Sequence, residues 1–327
     1  MPQSAAIIGA GVSGVTCGVV FAERGYRTAI FAKETGRQTT SGAAAAIWFP
    51  YDAEPLEKVI PWALQTFAVL ADLVRVPGSG VSMIELRQFS RTKEIEIPDW
   101  AIPLGAQSVI PSSPPVTSSE VKTSPDLRAS LFKSGFSLRV PLMDTAIYLD
   151  YLANRFQKAG GEINVNVSFQ KLEDIDRTFD VVINCAGIGA RDLVQDVDLE
   201  PHRGQVAIVP GIENLCCAIV CDDAPLMYAI PRTNDCLFGG TNDLSSDLAV
   251  DPATTDRIVT ECSRVLGIEK PRVVGERVGL RPFRRSGVRL DRDRLRNGRI
   301  VIHNYGHGGA GFTVSWGCAE KVFELAN

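Results

Sequence analysis

Two glycine clusters, one near each end of the chain, carry the residue types and spacing best suited to chemistry. The later one is Asn304-Tyr305-Gly306-His307-Gly308-Gly309-Ala310-Gly311-Phe312, continuing as the apolar run Thr313-Val314-Ser315-Trp316-Gly317-Cys318. Its glycines open what the pattern predicts as the last helix. A glycine loop entering a helix leaves backbone N–H groups free, with the positive end of the helix dipole behind them. Such a terminus favours negative charge, either phosphate or the electron-rich end of a reduced flavin. Alone, the cluster reads equally as a flexible turn.

The earlier cluster shifts that balance. Ala5-Ala6-Ile7-Ile8 runs as a short apolar strand into Gly9-Ala10-Gly11-Val12-Ser13-Gly14, an apolar helix follows to Gly25, and Thr28-Ala29-Ile30-Phe31-Ala32 gives a second buried strand. Strand, Gly-x-Gly-x-x-Gly, helix and strand again form the dinucleotide fingerprint. Gly9 permits the tight turn, Gly11 lets a pyrophosphate approach, and Gly14 lets helix and sheet pack closely. The acidic residue that usually ends the second strand is missing. Ala32-Lys33-Glu34 stands there, which leaves Glu34, one position later, as the candidate for the ribose, with Lys33 beside it.

The elements that must position these loops read as an α/β chain. Leu64, Phe67, Leu70, Leu73 and Val74 predict an amphipathic helix over 65–75. Pro111 to Ser119, rich in Pro and Ser, predicts a surface excursion. Asp144 caps a predicted helix through Gln157, closed by Gly160-Gly161, and a strand follows over Glu162 to Val167. The apolar run from Phe179 to Gly187 predicts a buried parallel strand of the nucleotide-binding sheet. Residues 205–240 instead predict short antiparallel strands. The nucleotide domain is therefore expected in pieces, with a β-rich domain inserted between them.

Composition excludes several classes. A chain of 327 residues, 45% hydrophobic and 22% charged, can bury one large core or two intertwined ones, and its net charge of -4 argues against a nucleic-acid surface. No apolar run reaches the roughly 18 residues of a membrane span, and the N-terminus lacks the basic start of a signal peptide. The eight Cys lack metal-ligand spacing and read as reduced intracellular thiols, and with only His202, His303 and His307 no metal site is expected.

The chain as a whole resembles the D-amino acid oxidase family of FAD-dependent oxidases. The resemblance rests on Ile8-Gly9-Ala10-Gly11-Val12, Ala44-Ala45-Ala46-Ile47-Trp48-Phe49-Pro50-Tyr51, Asn184-Cys185-Ala186-Gly187 and Arg203-Gly204-Gln205. It continues through Tyr228-Ala229-Ile230-Pro231-Arg232, Gly279-Leu280-Arg281-Pro282-Phe283-Arg284 and the last glycine cluster. It implies an FAD-binding Rossmann-type domain (1–50, 140–190 and 286–327) with an inserted mixed β-sheet substrate domain (51–139 and 191–285). It also implies non-covalent FAD held by Gly9, Ala10, Gly11, Val12, Ser13, Gly14, Lys33, Glu34, Thr39, Thr40, Ser41, Ala45, Ala46, Ile47 and Ala186. Leu172 matches an adenine-side contact, and Arg281 with Gly308, Gly309, Ala310, Gly311, Phe312 and Thr313 matches the segments that meet the flavin.

By the same resemblance, Arg281 grips the substrate carboxylate, Tyr228 donates its hydroxyl to it, and the Gly309 carbonyl accepts from the amine. A guanidinium fork suits a carboxylate bidentately. The implied reaction is oxidation of D-amino acids to 2-oxo acids, ammonia and hydrogen peroxide. Glycine, sarcosine or D-aspartate oxidation, a dehydrogenase with another acceptor, and a non-catalytic flavin protein stay open as alternatives.

Ala224 stands where vertebrate members carry a lid tyrosine, Ala310 where some carry another, and Phe49 where a polar residue is common, which implies a roomy, apolar pocket. Arg232 is the candidate second cation for an acidic substrate but is expected to face solvent or an acid. The expected partners are an amino acid and oxygen, with a homodimer as an allowed assembly and neither nucleic acid nor membrane. The ending Leu325-Ala326-Asn327 lacks the peroxisomal tripeptide, and a cytoplasmic enzyme is expected.

Overall fold

A computed structural model describes residues 3–109 and 129–327. The excursion expected over Pro111 to Ser119 lies outside the described residues. The first half of the chain runs β1 (Ser4–Ala10), α1 (Val12–Glu23), β2 (Arg27–Thr35), α2 (Thr40–Ala43), α3 (Leu56–Leu73), β3 (Val81–Ser90), β4 (Gln107–Val109), β5 (Ser134–Met143) and α4 (Thr145–Lys158). Next come β6 (Glu162–Val165), β7 (Val181–Asn184), α5 (Ala190–Leu193), β8 (Leu199–Pro210), β9 (Cys217–Cys221), β10 (Met227–Pro231), β11 (Asp235–Gly239) and β12 (Asp243–Leu244). The chain closes with α6 (Pro252–Leu266), β13 (Gly275–Arg284), β14 (Arg289–Arg294), β15 (Ile300–Tyr305) and α7 (Gly311–Ala326).

The strands form two sheets. One has six strands in the order β14-β15-β7-β1-β2-β6, parallel except for the β14–β15 hairpin. Its central strands are apolar on both faces because both are covered. Ala5, Ile7, Ile30 and Ile183 pack beneath α1, α4 and α7, while Ala6, Ile8, Ala29 and Val182 meet Leu172, Ile175 and Phe179 on the other side. The second sheet has nine strands and is mixed: β3 lies parallel to β9, and the other pairings are antiparallel. In it, β8 carries β13 along one edge and β11 and β12 along the other.

Three elements differ in extent from the sequence expectation. α3 begins at Leu56 rather than near residue 65 and contains Pro61, which costs one intrahelical hydrogen bond and hides the early turns from a propensity reading. β6 stops at Val165 because Asn166 takes a left-handed conformation (φ 58°). The 179–187 strand is confined to Val181–Asn184, flanked in parallel by β1 and β15. α4 starts where its cap requires: the Asp144 carboxylate accepts from the Ala146 N–H at 3.1 Å.

Candidate functional site

A cavity of about 730 Å³ runs from the β1–α1 turn, along the Thr39–Ile47 segment, to the face of the second sheet that carries Tyr228 and Arg281. At the first end, Gly9 through Ser13 line it, with Lys33, Glu34 and Ala186 from the ends of β2 and β7. Gly9 has φ 103°, and a Cβ on it would run into the Cys185 carbonyl, so only glycine fits this turn. Gly14 does not reach the cavity. It lies against the Gly9 backbone, where a Cβ would collide with the carbonyl oxygen, and this draws α1 onto the sheet. The Ser41 hydroxyl accepts from the Val12 N–H at 3.0 Å, and the Thr39 hydroxyl accepts from the Gly42 N–H at 3.3 Å to cap α2. Thr39, Thr40, Ser41, Ala45, Ala46 and Ile47 all line the cavity.

The far end is built by long side chains lying on bare backbone. Tyr228 on β10 faces Gly239 on β11 across the ladder, and its ring fills the space a Cβ there would need. Arg281 on β13 crosses Gly204 on β8, where a Cβ would fall 2.6 Å from Nη1 and Nη2. Arg281 Nη1 donates to the Thr241 carbonyl at 3.0 Å and to Asn242 Oδ1 at 3.1 Å. No acid forms an ion pair with Arg281 among the described residues, so an unneutralised guanidinium faces the cavity. Burial pushes the Tyr228 hydroxyl above its ordinary pKa, and the Arg281 charge pulls it back. The Tyr228 hydroxyl therefore stays a protonated donor at neutral pH.

Phe49, Gly308, Gly309, Gly311 and Phe312 also line this end. The N–H and carbonyl of Gly309 take part in no hydrogen bond among the described residues, and the Tyr51 ring lies over its Cα, where a Cβ would fall 2.5 Å from Tyr51 Cδ1. His307 is neutral at working pH because burial holds its pKa down at about 4. Its Nε2–H donates to Asn304 Oδ1 at 2.9 Å, which leaves Nδ1 to accept from the Ser13 hydroxyl at 3.5 Å. One ring nitrogen thus ties the last glycine loop to the end of β15 and the other ties it to α1.

Besides Gly14, three expected site residues do not line the cavity. Leu172 is 2% exposed and packs with Ile175 and Phe179 against the outer face of the six-stranded sheet, because its apolar side chain fills core rather than cavity. Ala310 caps α7 with its side chain turned into the core, so it adds no room to the cavity. Thr313 is buried beneath the cavity wall, donating its hydroxyl to the Phe49 carbonyl at 2.9 Å and accepting from the Phe49 N–H at 3.1 Å.

Conversely, sequence reasoning passed over Gly204, Gly239, Asn242, Tyr51 and Asp222 as site residues. Tyr51 and Gly204 stood inside quoted motifs, but nothing local marked their neighbours. Tyr51 lines the cavity, and burial, followed by the Asp222 charge, pushes its hydroxyl up to about 12. The Tyr51 hydroxyl accepts from Asn242 Nδ2 at 3.3 Å, which links it to the Arg281 anchor.

The model of the FAD dependent oxidoreductase (DAO) family matches residues 4–325. The chain belongs to that family. It is 36% identical to the D-amino-acid oxidases of Rubrobacter xylanophilus and Streptomyces coelicolor, over 98% of this chain and 95% and 96% of theirs. It is 30% identical to human D-aspartate oxidase over 98% of this chain and 94% of that one. Among solved structures it shares its fold with the glycine oxidase of Geobacillus kaustophilus, with a TM-score of 0.80, 19% identity, and coverage of 99% of this chain and 95% of that one.

The cavity suits the FAD that this family uses. The α1 amides open onto it with no acid in the first turn, and the Gly9–Gly14 contact keeps the turn bare where a diphosphate must approach. The α7 N-terminus, also without an acid in its first turn, opens onto the same cavity from the opposite loop. Among the described residues no helix is long and apolar enough to cross a membrane, and no group of three or more His, Cys, Asp or Glu could hold a metal ion.

Proposed function

We propose that this protein is a cytoplasmic D-amino acid oxidase, converting D-amino acids to 2-oxo acids and ammonia at the expense of oxygen. The observation that carries this reading is the unneutralised Arg281 guanidinium at the far end of a dinucleotide-shaped cavity, beside the Tyr228 hydroxyl and the free Gly309 carbonyl. Arg281 binds the substrate carboxylate through the donors that Thr241 and Asn242 leave unused. Tyr228 donates a further hydrogen bond to it, and the Gly309 carbonyl accepts one from the neutral amine. These contacts fix the carboxylate and the amine, and the apolar pocket takes the side chain as the third substituent, so only one enantiomer directs its α-hydrogen toward the flavin side of the cavity.

Bound FAD would supply the acceptor for that hydrogen and its electron pair and the two-electron route to oxygen that yields hydrogen peroxide. Glycine-loop amides and the α1 N-terminus would hold the diphosphate, Glu34 would serve the ribose, and Ala45, Ala46 and Ile47 with Gly308, Gly309, Gly311 and Phe312 would flank the ring. The chain supplies orientation in an enclosed cleft rather than a general base. His307, fully engaged by Asn304 and Ser13, relays no proton.

The pocket favours medium or large neutral side chains over acidic ones. Phe49, Val220 and Ile230 line it, and burying an unpaired carboxylate there is costly. Arg232, which could have neutralised such a carboxylate, does not line the cavity and is held by Asp235 at 2.7 and 2.9 Å. The test is oxygen uptake on adding D-methionine or D-aspartate, with and without catalase. The reading requires uptake with D-methionine that catalase halves, and a kcat/KM for D-methionine above that for D-aspartate. Absence of uptake with any D-amino acid refutes it.

A further inference from the structure

Besides Lys33, Glu34, Arg37, Arg277 and Arg281, the cavity lining holds a carboxylate that the reaction does not use. Asp222, in the connection between β9 and β10, lines it together with Tyr51, Val220, Leu226 and Ile230. Among the described residues no basic side chain pairs with Asp222. Its single hydrogen bond is from Gln88 Nε2 to Oδ2 at 3.0 Å, which leaves Oδ1 open. The neighbouring acids are occupied. Asp223 accepts from the Ser90 hydroxyl and from the Arg91 and Thr92 N–H groups, and Asp52 accepts from Asn242 Nδ2 at 3.4 Å with His202 Nδ1 3.6 Å away.

Asp222 is exposed on the cavity wall, so its open oxygen can meet a ligand without disturbing the core. Partial burial, with added repulsion from Asp223 and Asp52, raises the Asp222 carboxyl above its ordinary range. The same cavity therefore presents the unpaired Arg281 guanidinium and the unpaired Asp222 carboxylate, and its lining also holds the apolar side chains of Val220, Leu226 and Ile230. That pattern is complementary to a molecule with a carboxylate at one end, a cation at the other and methylenes in the middle.

We propose that Asp222 is a specificity residue that admits D-amino acids with cationic side chains, pairing a guanidinium or ammonium while Arg281 holds the α-carboxylate. Val220, Leu226 and Ile230 cover the side-chain methylenes. The inference rests on the D-amino acid oxidase reading for the identity of the reacting end. It goes beyond that reading by assigning to Asp222 the recognition of a cationic side chain, as in D-arginine or D-lysine. It also adds a reason for poor acidic substrates, since Asp222 repels a side-chain carboxylate.

The decisive experiment is a binding measurement on the FAD-loaded protein that needs no turnover. Calorimetry compares 5-guanidinopentanoate, which has a carboxylate and a guanidinium but no α-amine, with heptanoate, which keeps the carboxylate and ends in a methyl group. In Asp222→Asn the guanidino acid should weaken by about 10- to 100-fold relative to heptanoate, the range for losing a hydrogen bond to a charged group. Asp222→Glu should restore part of the loss. The kcat/KM ratio of D-arginine to D-methionine should fall in parallel in Asp222→Asn.

Equal weakening of both acids, or no change in either, overturns the proposal. So does an equal fall in kcat/KM for both amino acids, which would place the carboxylate at the α-amine. A selective loss of guanidino-acid binding in a protein that oxidises no D-amino acid keeps this proposal and removes the oxidase reading. Oxidation of D-methionine without that selective loss does the reverse.

Discussion

The Arg281 guanidinium lies against the backbone of Gly204, so closely that a Cβ there would stand 2.6 Å from both terminal nitrogens and 2.7 Å from Cζ. The glycine is a bearing surface that sets the height of the arginine above the sheet. Gly204→Ala should lift or rotate the guanidinium and misdirect its free donors, and misplacement of about 1 Å can cost on the order of 100-fold. The expected result is a 10- to 100-fold fall in kcat/KM, roughly, with far-UV circular dichroism unchanged. A variant with normal kinetics would show that Arg281 does not depend on Gly204.

Charge alone at Arg281 is not enough. Arg281→Lys keeps a cation but cannot both hold the Thr241 and Asn242 acceptors and offer a fork to a carboxylate. The loss of one charge-assisted hydrogen bond, about 1.5–3 kcal/mol, should lower kcat/KM by roughly 10- to 150-fold. Tyr228→Phe removes a neutral donor and leaves the ring on Gly239, so its loss should be smaller, about 2- to 12-fold. Steady-state kinetics on D-methionine checks both, and the order Arg281→Lys milder than Tyr228→Phe would contradict the assignment.

Much of this was legible in the residues, and the gaps have a common physical origin. The Gly9–Gly14 turn, α1, the Asp144 cap and the β7 core strand are set by neighbours within a few positions, so local pattern sufficed. Gly204 and Gly239 look like ordinary strand glycines because what requires them, Arg281 and Tyr228, comes from other strands. Leu172 and Thr313 were assigned by correspondence along the chain. Their burial depends on which face of the sheet or helix they occupy, and a correspondence does not fix that. The early turns of α3 were hidden by Pro61, a residue whose local cost is overridden by packing against α7.

Two buried histidines make stability depend on pH. Burial holds both His303 and His307 at about 4, with the Arg289 charge adding to the effect at His303. Each has its ordinary value near 6.5 when unfolded, so between about pH 6.5 and 4 the unfolded chain binds more protons than the folded one. Stability should therefore fall as pH drops through that window, by about 3 kcal/mol per histidine at most. Asp196, held below its usual range chiefly by Arg284 and Tyr305 against the opposing effect of burial, loses its contribution only below about pH 4. Asp222, raised by burial, acts weakly in the opposite sense. Urea unfolding from pH 7 to 4 should show the decline, and His303→Asn should reduce its slope. A flat profile would mean that the histidines are not buried as neutral groups.

The central claim is that Arg281, Tyr228 and Gly309 hold a D-amino acid for oxidation at a bound flavin. The most direct measurement is an anaerobic titration of the yellow protein with D-methionine and then, separately, with L-methionine, following flavin absorbance before and after air is admitted. Bleaching by the D-enantiomer alone, with recovery of the colour in air, is the expected result. Bleaching by the L-enantiomer, by both equally, or by neither would contradict the assignment of the site.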